Sequence, residues 1–289
     1  MNSLLADAVY AIDGLSMIHR AYHVAPTLTD LKDNKVGGVY IFARMMLAFI
    51  RDLHPRCLLM ALDCIGSHAE RCKIYPDYKK KEEKPGEDFC AQERIIYELV
   101  GQMEIPLLTC PGWEADDVLA TVARKLSGDG LNVVIVGMDK DLLQCVSERV
   151  VMYNPAKKEV WNVARVITEK GVEPWRWADV QALMGDPTDN VPGVPGVGPI
   201  TAAKLIQKYE TVENVFANCG ELPDRLHKKL EGYQSQVMMA RELTRLHSSL
   251  SIGIPVSRFI IDENWKARVA SFLKVLGFRS LMGQVSLLS

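Results

Sequence analysis

The sequence carries no surplus of one charge: 34 basic side chains stand against 36 acidic ones, a net of −2. A global pull on polyanions is thereby excluded, and any nucleic-acid footprint has to be a local patch. There is no Cys-x-x-Cys pair. The seven cysteines (Cys57, Cys64, Cys72, Cys90, Cys110, Cys145, Cys219) are scattered without a histidine at zinc spacing, so reduced thiols are expected rather than a zinc finger or a disulfide scaffold. No apolar run reaches membrane-spanning length, and the longest, Val39 to Ile50, contains Arg44. No basic residue precedes the apolar stretch near Met1, which already carries Asp7; a secretory leader is not expected, and the cytoplasm is the default compartment. The G-x-x-x-x-G-K-[ST] phosphate loop, the G-x-S-x-G elbow and the H-E-x-x-H zinc helix are also missing, and the six histidines are dispersed. His19 and His23, flanking Tyr22, fit polar positioning and helix packing equally well. Nothing points to a covalent nucleophile.

What is present suits a globular enzyme. Of 289 residues, 48% are hydrophobic and 24% charged, enough to bury the core of one large domain or of a large and a small one. Apolar runs at Ala8–Ile12, Cys57–Leu62 and Val133–Val136 read as buried parallel strands, with Ile105–Thr109 and Val150–Tyr153 as weaker candidates. Helical spacing at Val39–Leu53, Ala91–Met103 and Ala115–Leu126 separates them, which predicts an α/β domain with a mostly parallel sheet flanked by helices over residues 1–174. From about Trp175 the strand runs stop. A Pro- and Gly-rich loop leads into a helical stretch at Thr201–Tyr209, so a smaller α-helical unit is expected over 175–250 and a return segment over 251–289, with Gly253–Ile261 as a strand or extended piece.

The placement of acids carries the chemistry. Asp13 and Asp63 end the first two strands and Asp139 follows the third; ligands of open parallel sheets bind at those carboxyl ends, so the three are expected in one crevice. Glu114, Asp116 and Asp117 open a helix, where acids also suit the dipole. Asp141 pairs with Asp139 and Asp189 with Asp186. Singly, each Asp reads as a cap or turn residue. Jointly, so many carboxylates repel one another unless cations neutralise them. Oxygen-only donors select hard ions such as Mg²⁺ or Mn²⁺, and two of these about 3.5–4 Å apart clamp a phosphodiester for in-line hydrolysis.

Two segments are candidates for holding substrate. Gly193-Val194-Pro195-Gly196-Val197-Gly198-Pro199 opens a helix, where glycines let backbone N–H groups approach a phosphate; the bland alternative is an ordinary helix–turn–helix corner. Arg71–Lys84 sets six basic residues against Asp77, Glu82 and Glu83, a local +3, with Tyr75 and Tyr78 interleaved. That mixture suits a single strand, and its place after Asp63 suggests a mobile element over the crevice; alone it would read as a solvated face.

Together these residues resemble the 5′ nucleases, the family of the 5′–3′ exonuclease domain of bacterial DNA polymerase I, phage-type 5′ exonucleases and flap endonucleases. The match runs from about Val9 to Leu246. It rests on Ile12-Asp13-Gly14 with Arg20-Ala21-Tyr22-His23, Leu62-Asp63, Tyr78-Lys79, Glu114-Ala115-Asp116-Asp117-Val118, Asp139-Lys140-Asp141 and Leu183-Met184-Gly185-Asp186-Pro187-Thr188-Asp189-Asn190 running into the glycine hairpin.

The resemblance implies a PIN-like (resolvase-like) core with a helix–three-turn–helix DNA-binding unit. It implies that Asp13, Asp63, Glu114 and Asp116 hold a first metal, that Asp139, Asp141, Asp186 and Asp189 shape a second, and that Asp117 supports both. Residues 71–90 would form an arch or clamp, with Lys79 approaching the scissile phosphate. DNA contacts would come from Arg20, Arg71, Tyr78, Lys80, Lys81 and Lys84 on the core side, and from Gly193, Gly196, Gly198, Thr201 and Lys204 at the hairpin, which in relatives holds K⁺. Two positions depart from the family: Glu82 stands where an arch Arg is usual and Ile200 where a Lys is common.

The expected activity is cleavage of 5′-flapped or branched duplex DNA and RNA-primed DNA by a monomer, with a DNA polymerase as an open partner and no membrane. Two rivals remain at this stage. One is a PIN-type RNA-cutting nuclease, against which the hairpin speaks. The other is a non-catalytic module that binds branched DNA. The end at Ser289 suggests an independent enzyme or a fragment of a larger one.

Overall fold

The computed structural model describes residues 5, 7–25, 27–30, 32–81, 85–253 and 264–288. Six strands form one sheet: β1 (Val9–Asp13), β2 (Cys57–Ala61), β3 (Leu107–Leu108), β4 (Val133–Val136), β5 (Val150–Asn154) and β6 (Glu159–Trp161), in the order β3-β2-β1-β4-β5-β6. All pairs are parallel except the β5/β6 edge, which turns back antiparallel. Ile12 lies level with Met60 on one side and Val136 on the other. The order reverses between β1 and β4, and at such a reversal a crevice opens beyond the carboxyl ends.

Alternation of side chains across each strand divides the core. Val9, Ala11, Leu59, Val133 and Ile135 face one layer, which contains α5 (Ala115–Gly128) and the whole helical unit. Tyr10, Ile12, Leu58, Met60 and Val136 face the other, built from α1 (Gly14–His23), α2 (Gly37–Leu53) and α4 (Glu87–Gln102). Both faces being covered explains why the central strands are continuous apolar runs.

A helical unit follows the sheet. After α6 (Val163–Lys170), a 3-10 turn at Pro174–Arg176 leads into α7 (Trp177–Met184), then α8 (Pro199–Tyr209), α9 (Val212–Ala217), α10 (Asp224–Leu230) and α11 (Gln234–Thr244). It shares its hydrophobic core with α5 and the sheet. Residues 245–250 then cross α5, with the Leu250 amide donating to Thr121 Oγ1 at 3.2 Å. The return segment proves to be helical: α12 (Trp265–Val275) and α13 (Arg279–Ser286) pack under α2 and α4, where the Arg268 Nε–H donates to the Gln102 carbonyl at 2.9 Å. The strand expected at 253–261 falls almost wholly outside the described residues. Among those residues no helix is long and apolar enough to cross a membrane.

The described residues of the 71–90 segment comprise most of the short α3 (Ala69–Ile74), turns up to Lys81 and the start of α4. Its turns are tied down at Asp77 and Lys79: the Lys79 amide donates to the Asp189 carbonyl at 2.9 Å and Asn190 Nδ2 to the Asp77 carbonyl at 2.6 Å.

Candidate active site

Acids stand at the carboxyl ends of the strands. Asp13 closes β1 and caps α1, its Oδ1 accepting the Ser16 amide at 3.1 Å. Gly137 lets the chain leaving β4 pass over it, because a Cβ there would lie 3.1 Å from Asp13 Cβ. Asp63, just past β2, accepts the Ala115 amide at 2.6 Å and so fixes the start of α5; Asp116 then occupies the first turn of that helix. Burial pushes the Asp13 carboxyl up to about 6, with Asp139 and Asp63 adding repulsion. Burial, and then Asp139, Asp13, Asp141 and Glu114, raise Asp116 well above the carboxylate range. Buried like charges repel in this way, so these acids are electrostatic neighbours at the carboxyl ends of the strands.

A second group adjoins them. One carboxylate oxygen from each of Asp141, Asp186 and Asp189 lies within 4.8 Å of the others. The Asp141 amide donates to Asp139 Oδ1 at 2.8 Å, and Gln181 from α7 donates to Asp141 Oδ1. Asp186 is buried in a tight bridge with Val191 and accepts the Thr188 amide at 3.0 Å. Burial raises Asp141 to about 8, with Asp139, Asp186 and Asp189 contributing. Asp189 is raised by burial as well.

Two lysines partly offset this charge: Lys140 Nζ lies 2.8 Å from Asp186 Oδ2, and Lys79 Nζ pairs with Glu114 and stands 3.8 Å from Asp189 Oδ1. Burial works against the Lys79 ammonium, yet Glu114 and Asp189 raise its pKa above the ordinary lysine value. The donor set is all oxygen and acids outnumber cations, a combination that fits hard divalent ions.

Three residues sit differently from expectation. Asp117 does not face the crevice. It is fully buried and grips Arg71 through both oxygens, at 2.6 and 2.8 Å, while also accepting the His247 amide at 2.8 Å. Arg71, assigned to the DNA-binding run, is 5% exposed and also reaches Glu114 at 2.9 Å and the Leu243 carbonyl at 2.8 Å. Tyr78 is likewise buried, its hydroxyl 2.9 Å from Glu114 Oε2 and 3.2 Å from Asp189 Oδ2. Burial alone would raise the Glu114 carboxyl, but Lys79 and Arg71 hold it below its ordinary value. Lys140, Gln181 and Asn190 were missed as site residues; for Lys140 its place between Asp139 and Asp141 was the available signal.

Of the remaining basic candidates, Lys80 is exposed and pairs with Asp77 at 2.8 Å, and Lys81 is exposed. Lys84, like Glu82, lies outside the described residues. Arg20 is exposed, its guanidinium 3.0 Å from the Met138 sulfur. In the hairpin the glycines divide. Gly193 crosses the backbone of Met184 and Gly185 so closely that a Cβ would come within 2.3 Å, which is packing rather than a phosphate cradle; Gly198 is open to its surroundings. The Gly196 and Gly193 carbonyls, which a K⁺ ion would use, accept from Lys229 Nζ at 2.7 Å and Gln236 Nε2 at 2.9 Å. Thr201 is half-buried in the first turn of α8, while Lys204 and Ile200 are exposed on it.

Known proteins are similar in sequence and in fold. The family of 5′-3′ exonuclease N-terminal, resolvase-like domains matches residues 8–173, and that of 5′-3′ exonuclease C-terminal, SAM-fold domains matches 172–267. A 5′-3′ exonuclease of Aquifex aeolicus is 37% identical over 281 residues, covering 96% of this chain and 94% of that protein. A DNA polymerase I of Rhizobium leguminosarum is 32% identical over 97% of this chain, which spans only 28% of the polymerase. Among solved structures, T5 5′-exonuclease with bound zinc ions superposes with a TM-score of 0.70 at 18% identity, covering 97% of this chain and 99% of the other. The catalytic core of Rad2 in complex with DNA substrate gives 0.65 at 16%, over 99% and 93%.

Proposed function

The chain belongs to the 5′-3′ exonuclease family, and on that footing we propose that it is a metal-dependent 5′–3′ exonuclease and flap endonuclease. It hydrolyses phosphodiesters of 5′-flapped, branched or RNA-primed DNA, leaving a 5′-phosphate and a 3′-hydroxyl. The observation that carries this is the convergence of Asp141, Asp186 and Asp189, one carboxylate oxygen of each within 4.8 Å of the others, beside the buried and mutually repelling Asp13, Asp116 and Asp139. Asp13, Asp63, Glu114 and Asp116 would hold one Mg²⁺ or Mn²⁺, and Asp139, Asp141, Asp186 and Asp189 a second. When bound, such ions supply a hydroxide nucleophile at neutral pH and neutralise charge on the leaving oxygen.

The chain's own groups orient the strand. Lys79, kept charged by Glu114 and Asp189, offers an ammonium to the scissile phosphate. Gln181 and the Asp141 amide fix the directions of Asp141 and Asp139. Tyr78 and Arg71 act from beneath by steadying Glu114. At the hairpin, Gly198, Thr201 and Lys204 take the duplex backbone, and a K⁺ ion there would displace Lys229 from the Gly196 carbonyl. We place the enzyme in the cytoplasm on the strength of its seven unpaired cysteines; it acts as a monomer, beside a DNA polymerase that extends the primer it clears.

The test is cleavage of a labelled 5′-flap duplex with product mapping, in Mg²⁺ and in EDTA. Cutting near the junction in Mg²⁺ and none in EDTA is expected; equal cutting in both, or none in either, refutes the reading.

A further inference from the structure

One feature that hydrolysis leaves unused is a cavity of about 390 Å³ where α5, α7 and residues 245–248 meet. That is the size of a small-ligand site. Three arginines line it. Arg241 is spent on Asp179, at 3.2 Å, and on Glu213. Arg124 and Arg245 are exposed, and among the described residues neither guanidinium makes a hydrogen bond or ion pair; Arg245 attracts the buried Asp179 only at longer range. Among the described residues Asp179 is the only carboxylate lining the cavity, so its walls carry a net positive charge. Serine hydroxyls from Ser147 and Ser248 add donors.

At the rim stands Trp175, a large apolar side chain left 64% exposed. Guanidinium groups recognise phosphate, and an exposed indole face stacks a nucleobase. We propose that this cavity binds a nucleoside 5′-monophosphate, with its phosphate on Arg124 and Arg245 and its base on Trp175. The cavity adjoins the acids through one 3-10 turn, Asp141–Cys145: Gln144, in its wall, reaches Asp141 through Gln181.

The test is an equilibrium titration of the full chain in EDTA, which keeps divalent ions out of the crevice, so failure of the nuclease reading leaves the result untouched. The probes are 2′-deoxyadenosine 5′-monophosphate, deoxyadenosine and inorganic phosphate. Saturable binding of the nucleotide is expected, with phosphate at least tenfold weaker and deoxyadenosine weaker still. The double variant Arg124→Gln/Arg245→Gln, altered only at exposed side chains, should lose at least tenfold in nucleotide affinity with an unchanged melting temperature. Trp175→Ala should lower nucleotide affinity severalfold and leave phosphate binding as it was. No saturation by the nucleotide, the same isotherm in the double variant, or phosphate binding as tightly as nucleotide overturns the proposal.

Discussion

Asp116 and Asp117 are neighbours in the first turn of one helix, yet their surroundings are opposite. Asp117 turns inward onto the Arg71 guanidinium and a backbone amide, so every oxygen has a partner. Asp116 turns toward Asp13, Asp139, Asp141 and Glu114 and is held far above its ordinary pKa. The first is a carboxylate the fold has satisfied. The second is one the fold leaves for something else to satisfy. Burial of charge is thus uninformative until the partner is named, and unpartnered acids in company mark the site.

The largest effect expected from this contrast falls on stability. Asp117→Ala leaves Arg71 buried without its partner and should cost about 3–5 kcal/mol, read by urea unfolding; a loss under ~1 kcal/mol would erase the distinction. Asp116→Asn should do the reverse. Its EDTA-treated form should melt no lower than the parent, because a repelling charge is gone, while Mg²⁺-dependent flap cleavage drops by about 10²–10³-fold, roughly 3–4 kcal/mol of barrier.

The hairpin offers a second pair. Gly193→Ala drives a Cβ into the Met184 backbone and should destabilise by about 1–3 kcal/mol. Gly198→Ala, with nothing near it, should leave stability unchanged and weaken duplex binding alone, as a filter-binding assay would show. Equal melting temperatures for the two would mean that the close crossing with Gly185 does not hold.

The smallest effect is on pH. Asp13 and Asp141 rise from an ordinary 3.8 to about 6 and about 8 on folding. A carboxyl raised in this way favours the folded chain while protonated, so its contribution is complete below the unfolded value and is lost as pH climbs through the folded one. In EDTA the melting temperature should therefore fall between about pH 4 and pH 8, and saturating Mg²⁺ should flatten that slope. A melting temperature that rises over this window in EDTA would contradict the raised acids.

Much of this was legible in the chain. Runs such as Val133–Val136, with acids at or just after their ends, gave away the parallel sheet and its crevice, because buried strands and strand-end loops leave local signatures. β6 escaped because Glu159-Val160-Trp161 is short and half-buried at an edge. The clustering of the acids followed from topology, whereas the fates of Asp117, Arg71 and Tyr78 did not. A run of lysines around Arg71 looks solvated until the helix bearing Glu114 and Asp117 is folded against it, and no spacing rule encodes a partner 46 residues away. Gly193 hid its role for a similar reason, since two backbones crossing leaves no mark in either segment.

Calorimetric titration of Mg²⁺ into the metal-free chain at neutral pH, repeated on Asp116→Asn and Asp117→Ala, reads the central claim most directly. Saturable binding in the parent, much weakened by Asp116→Asn and kept by whatever fraction of Asp117→Ala remains folded, is the result expected. A parent that takes up no ion, or an Asp116→Asn variant with the parent's isotherm, would show that these carboxylates are not gathered around cations.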